Sequence, residues 1–199
     1  MSSRNAILAR LREVQPASRA LPDVPMFDDR LPSMLETFKA SLARLGGQWA
    51  DAPESGDIEA FLRAKFPDAL VICSAVPDVQ GTRRLEEIER PQDLNDVDVG
   101  VVRPGFAVAE TGSIWLSEKQ YKVNALGYLP QHLVALLDPA DIVGNLHHAY
   151  HRPEFLESNY AVLMSGPSAT ADIEGVLIRG AQGIRSLTVV MAPRIRTAR

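Results

Sequence analysis

The sequence carries one cysteine, Cys73, which excludes an internal disulfide and leaves too few thiolates for a zinc ribbon or an iron–sulfur cluster. A lone thiol fits a reducing compartment, so the chain is expected to be cytoplasmic. No stretch approaches the roughly 20 apolar residues of a membrane span. The first fourteen residues are polar and periodic, unlike a basic stub followed by an apolar leader. Positive charge is not in excess: 21 Lys and Arg stand against 25 Asp and Glu, a net charge of −4. With no surplus of cations to release counterions from a phosphate backbone, non-specific nucleic-acid binding is disfavoured. Arg194, Arg196 and Arg199 form a local exception that reads first as a solvated end. Neither G-x-G-x-x-G nor G-x-x-x-x-G-K-[ST] occurs, so the common nucleotide cradles lack support.

What is present is an ordinary globular balance, 46% hydrophobic and 23% charged over 199 residues, enough for one sizeable core. Ile7, Leu8, Leu11 and Val14 predict an amphipathic helix ending before Pro16, and the proline-rich stretch Gln15 to Pro32 reads as an irregular arm. The expected organisation is therefore an N-terminal helix and arm over 1–32 and a single α/β domain over 33–199. Ser33 and Glu36 have capping-box spacing ahead of a helix with Leu35, Phe38, Leu42 and Leu45 on one face, stopped by Gly46-Gly47. Asp57 caps a second, with Ile58, Phe61, Leu62 and Phe66 on its buried side. Short strands are expected at Gln48–Ala50, Ala69–Cys73, Asp98–Val102, Phe106–Ala109 and Ser113–Leu116, then at His132–Leu137, Tyr160–Met164 and Leu187–Met191. Helices are expected at Pro139–His151 and Thr170–Gly180. Alternating strands and helices of these lengths predict an α/β fold, a parallel or mixed sheet with helices on both faces.

Two segments carry chemistry. Met164 to Glu174 predicts a strand end passing through Gly166-Pro167 into a helix start, where backbone N–H groups and the hydroxyls of Ser165, Ser168 and Thr170 converge. That is a carboxylate or phosphate site at the carboxyl edge of a sheet, or a plain helix cap whose dipole Asp172 and Glu174 already offset. The segment also approaches a G-x-S-x-G elbow, but that hydrolase order needs a histidine after the nucleophile, and the last one is His151. Ala109-Glu110-Thr111-Gly112-Ser113 sets a carboxylate between apolar strands. Glu110 reads either as general acid, base or acyl acceptor, or as an exposed turn residue. His147 and His151 are one helical turn apart, yet only His132 remains as a distant third imidazole, so no metal site is expected.

Taken together and in this order, Glu110-Thr-Gly-Ser and Ser165-Gly-Pro-Ser-Ala-Thr-Ala-Asp-Ile-Glu174 resemble the LUD-domain family, and specifically lactate utilisation protein C. Leu129-Pro-Gln-His132-Leu resembles the family's Pro-x-His strand entry, and Asp98-Val-Gly-Val-Val102 the strand leading into the Glu-Thr-Gly turn. The resemblance spans about Val97 to Met191, and it departs at Gly180-Ala-Gln-Gly-Ile-Arg185, where Gln182 stands in place of a histidine and cannot exchange protons near neutral pH. It implies a three-layer α/β fold similar to the sugar-phosphate isomerases and CoA transferases. It also implies a part in oxidising L-lactate to pyruvate beside iron–sulfur partner proteins, with no cofactor in this chain. Its expected site comprises Glu110 as catalytic group and Thr111, Gly112, Ser165, Gly166, Ser168, Thr170, Asp172 and His132 around a small carboxylate. Two classes stay open: an auxiliary subunit docking through Gln15–Pro32 and the Arg83-Arg84 surface, or an independent enzyme acting on a small carboxylate or thioester through Glu110.

Overall fold

The computed structural model describes residues 3–27, 33–77, 79–171, 177–180 and 182–194. Its elements in chain order are α1 (Ser3–Glu13), α2 (Met34–Arg44), β1 (Gln48–Asp51), α3 (Ile58–Lys65), β2 (Ile72–Ser74), β3 (Arg83–Arg84), β4 (Val99–Val102), β5 (Phe106–Val108) and β6 (Ser113–Ser117). They continue with α4 (Glu118–Tyr121), β7 (His132–Leu137), β8 (Ile142–Val143), α5 (Leu146–Tyr150), α6 (Pro153–Leu156), β9 (Ala161–Met164), β10 (Ala169–Ala171), β11 (Leu177–Arg179) and β12 (Ser186–Met191). The caps act as their residue types require. Ser33 Oγ accepts from the Glu36 N–H at 3.4 Å, and Asp57 Oδ1 from the Ala60 N–H at 2.9 Å. Gly46 closes α2 at φ 85°, a left-handed conformation that favours glycine.

The central sheet has the order β1-β12-β7-β4-β2-β3, and every described pair in it is parallel. Its central strands β4, β7 and β12 are buried almost throughout, as strands covered on both faces must be, whereas the edge strands β1 and β3 carry polar residues and are largely exposed. Along β7, Val134 and Leu136 face one core with α3, through Leu62 and the flanking Ile58, Phe61 and Phe66. Leu133, Ala135 and Leu137 face the other core, with Phe38 and Leu42 of α2.

That second face is also covered by a second sheet, in the order β8-β5-β6-β9, whose Ala107, Ile114 and Leu116 enter the same core. Its outer side carries Phe106, Val108 and Trp115 against Ala149 of α5 and Phe155 of α6. The protein is thus an α/β fold with a mainly parallel central sheet, in which the hairpin β5-β6 and β9 build a layer of their own. The run Asp98–Val102, Phe106–Ala109, Ser113–Leu116 divides between the two sheets after β4.

Three elements differ from expectation. The strand expected at Ala69–Cys73 starts three residues later and runs over Ile72–Ser74. The helix expected over Pro139–His151 is a 3-10 turn at Pro139–Asp141, the two-residue β8, and α5, because Gly144 breaks the chain and Asn145 caps afresh, its Oδ1 accepting from the His148 N–H at 3.1 Å. The helix expected over Thr170–Gly180 is replaced in its described parts by the antiparallel pair β10 and β11, with Thr170 opposite Ile178. Thr170 therefore starts no helix whose dipole an acid would offset; Asp172 and Glu174 lie outside the described residues. Helix α1 forms as expected but buries no side chain: Ile7 and Leu11 are 60% and 58% exposed.

Candidate functional site

Strand β6 is antiparallel to both β5 and β9, so the turn after β5 and the loop after β9 emerge at one end of the second sheet, with Ile114 opposite Met164 in register. Helix α2 runs along both. Ser41 Oγ donates to the main-chain oxygen of Glu110 at 3.1 Å. A Cβ on Gly112 would stand 2.5 Å from the Ser41 carbonyl carbon, and one on Gly166 would stand 2.5 Å from the Leu45 oxygen. Both glycines have positive φ, 61° and 76°, so the turn geometry and the close approach to α2 each call for glycine. The two motifs thus pack on the last turn of α2 and on its C-terminal cap, Leu45.

Their side chains do not converge on one pocket. Glu110 is exposed; Oε2 accepts from the Leu146 N–H at 3.4 Å, and its own N–H donates to the Gly144 oxygen at 3.0 Å. Thr111 Oγ1 is hydrogen-bonded to Ser113 Oγ. Ser165, Gly166 and Ser168 line a hollow of about 280 Å³ with Tyr128, Leu163 and Gln182. Ser168 is fixed by its N–H to the Ile184 oxygen at 3.0 Å and by Oγ donating to the Gln182 oxygen at 2.7 Å. It is therefore the backbone of Gln182 that holds this loop. Thr170 is exposed on β10, and Asp172 lies outside the described residues.

The edge also differs from expectation. Ile184 precedes β12, Gly47 beside Gly166 precedes β1, and His132 opens β7, so the Ser165–Ser168 loop and His132 stand at the amino edge of the central sheet. The loop does follow the carboxyl end of its own strand, but β9 belongs to the second sheet and delivers it to the opposite edge of the first. His132 Nδ1 is 2.8 Å from Ser186 Oγ and its ring stacks on Phe66 at 4.8 Å. Burial, then the nearby Arg185 charge, lower its pKa from the ordinary imidazole value. Near the hollow, Tyr128 is bonded to Tyr160 through their hydroxyls, and burial followed by that bond pushes its pKa up to about 12.

The carboxyl edge of the central sheet holds a larger cleft, of about 880 Å³, that sequence reasoning did not single out. Arg103, which directly follows β4, places its Nη1 3.3 Å from the Leu136 oxygen and 3.1 Å from the Ala192 oxygen. The available signal was a basic residue immediately after the fully apolar run Val99 to Val102. Among the described residues no group of three or more His, Cys, Asp or Glu side chains is placed to hold a metal ion. No described helix is long and apolar enough to cross a membrane.

With this geometry in place, the sequence matches the family model of the LUD domain over residues 43–191, most of its length, and the chain belongs to the LUD-domain family. It is 29% identical over 100 residues to an uncharacterised protein of Neisseria meningitidis serogroup B, a stretch covering 49% of this chain and 43% of that one. The matched stretch is thus less than half of that relative's length. The fold resembles the crystal structure of a DUF162 family protein from Deinococcus radiodurans, with a TM-score of 0.60 at 17% identity, covering 79% of this chain and 94% of the other.

Proposed function

We propose that this protein is a component of an L-lactate utilisation system of the lactate utilisation protein C kind, working in the cytoplasm with iron–sulfur partner proteins in the oxidation of lactate to pyruvate. The observation that carries the reading is the LUD match over residues 43–191, which contains the Glu110–Ser113 and Ser165–Ser168 motifs. The lone Cys73, buried in the core, is no cluster ligand set, so in this reading the two electrons released from lactate travel through clusters on the partners.

The N-terminal segment supplies a means of docking. Helix α1 and the described part of the arm, Gln15–Phe27, are almost wholly exposed, with Leu21 92% accessible. Among the described residues the arm is tied back near Phe27, where Asn145 Nδ2 donates to the Met26 oxygen at 2.6 Å and the Phe27 and His147 rings lie 5.1 Å apart. Of the two arginines on β3, Arg83 is engaged with Asp96 and the Asp93 oxygen, which leaves Arg84 as the more accessible charge of that surface. Residues 1–32 then act as a docking arm and 33–199 as the folded domain. The alternative, in which the chain is itself the enzyme through Glu110, draws no support from a carboxylate that is exposed rather than enclosed.

Co-purification tests the proposal. Tagged full-length chain recovered from its own host grown on L-lactate is expected to bring down cysteine-rich proteins with stoichiometric iron. Recovery of the chain without iron under these conditions contradicts it.

A further inference from the structure

We propose that the cleft at the carboxyl edge of the central sheet binds an organic anion, its charged group held by Arg103, Lys119 and Arg194 and its apolar body laid against Ile58, Val76 and Val79. Crevices outside the carboxyl ends of parallel strands are where α/β sheets collect ligands, and about 880 Å³ lies within the range of small-molecule sites. The described lining residues include three cations, with Asp141 beside Arg194 and Glu157 beside Lys119 at the margin of the cleft. Arg103 is held in place over the ends of the central strands by the Leu136 and Ala192 carbonyls, at 3.3 and 3.1 Å, so its charge is pre-positioned. Arg194 approaches from the end of β12, with Nη2 3.1 Å from the Pro104 oxygen. Arg194 Nη2 lies 3.3 Å from the largely buried Asp141 and Lys119 Nζ 3.5 Å from the exposed Glu157, and both cations are about half exposed, so each has N–H groups open to a further, incoming anion.

The apolar part of the lining decides the class of ligand. Ala52, Ile58, Ala75, Val76 and Val79 present hydrocarbon, which a carboxylate or phosphate monoester bearing several carbons covers and which the single methyl of lactate leaves bare. The site is therefore distinct from the lactate reading, and nothing in it depends on Glu110 or on iron–sulfur partners.

Calorimetric titration of the full chain at low salt with hexanoate, hexyl phosphate and 1-hexanol tests the assignment. At least one of the two anions is expected to bind while hexanol gives no heat; hexanoate alone marks a carboxylate site, hexyl phosphate alone a phosphate-ester site, and both the shared chemistry. The double variant Lys119→Gln, Arg194→Gln changes two accessible side chains, and circular dichroism checks that it folds. It is expected to weaken binding about tenfold or more, since each charged hydrogen bond is worth about that factor. Lys65→Gln, at the other edge of the sheet, is expected to leave affinity unchanged. Failure of both anions, equal binding of hexanol, an unaffected double variant, or an equal loss in Lys65→Gln each overturns the proposal.

Discussion

Gly112 presses on the backbone of Leu42 so closely that no side chain fits between them, and it does so at φ 61°. The Glu-Thr-Gly turn is in this way a packing device that seats the β5-β6 hairpin on α2. Gly112→Ala is expected to destabilise the protein by at least about 2 kcal/mol, from left-handed strain plus overpacking. In a domain of this size that lowers Tm by about 4–8 °C. A melting curve within a degree of the parent contradicts the packing role.

Glu110, two residues earlier, is attached far more loosely. Its exposed carboxylate accepts one side-chain bond, at 3.4 Å from the Leu146 nitrogen, and a glutamine oxygen can accept the same bond. Glu110→Gln is therefore expected to shift Tm by no more than about 1 °C. Growth on L-lactate is expected to persist. Loss of that growth with unchanged melting would instead make Glu110 a catalytic residue.

His132 gives stability a pH dependence with a definite sign. Burial and Arg185 lower its pKa in the folded protein, so the unfolded chain binds the proton more tightly. The neutral imidazole's contribution is complete above the ordinary value of about 6.5 and is lost as pH falls from there through the lowered folded pKa. Urea midpoints are expected to fall between pH 7 and pH 5, and to fall less in His132→Gln. An equal fall in both proteins contradicts the assignment to His132.

Much of the fold is legible in the sequence because local chemistry and tertiary context agree. The Ser33 and Asp57 caps, the continuous apolar run of β7, and the glycine stop of α2 all hold in the structure. Apart from the break at Gly144 and the displaced start of β2, disagreement falls where one pattern suits two structures. Ser168 and Thr170 ahead of Asp172 and Glu174 look like a helix start, but β-branched Thr170 and Ile178 serve paired strands equally well, and pairing selected them. Strands β4, β5 and β6 are all fully buried, so no periodicity tells which sheet each joins. That ambiguity also hid the site's geometry. A loop after a strand was legible, but the edge of the main sheet to which it returns depends on the second sheet. The Arg103 cleft was illegible for a related reason: it is assembled from the ends of β1, β2, β4, β7 and β12, which only the strand order brings together.

Helix α1 contributes no buried side chain, so removal of residues 1–14 is expected to leave Tm within about 1 °C of the parent. The same truncation is expected to weaken recovery of iron-containing partners. A substantial drop in Tm would show that α1 belongs to the folding unit, and undiminished partner recovery would remove it from the docking surface.

The most direct test of the lactate assignment is L-lactate-dependent reduction of an artificial electron acceptor in extracts of a host strain lacking this gene. The activity is expected to be lost in the deletion strain and restored by adding the purified full-length chain. Reduction at the parental rate in the deletion extract would contradict it.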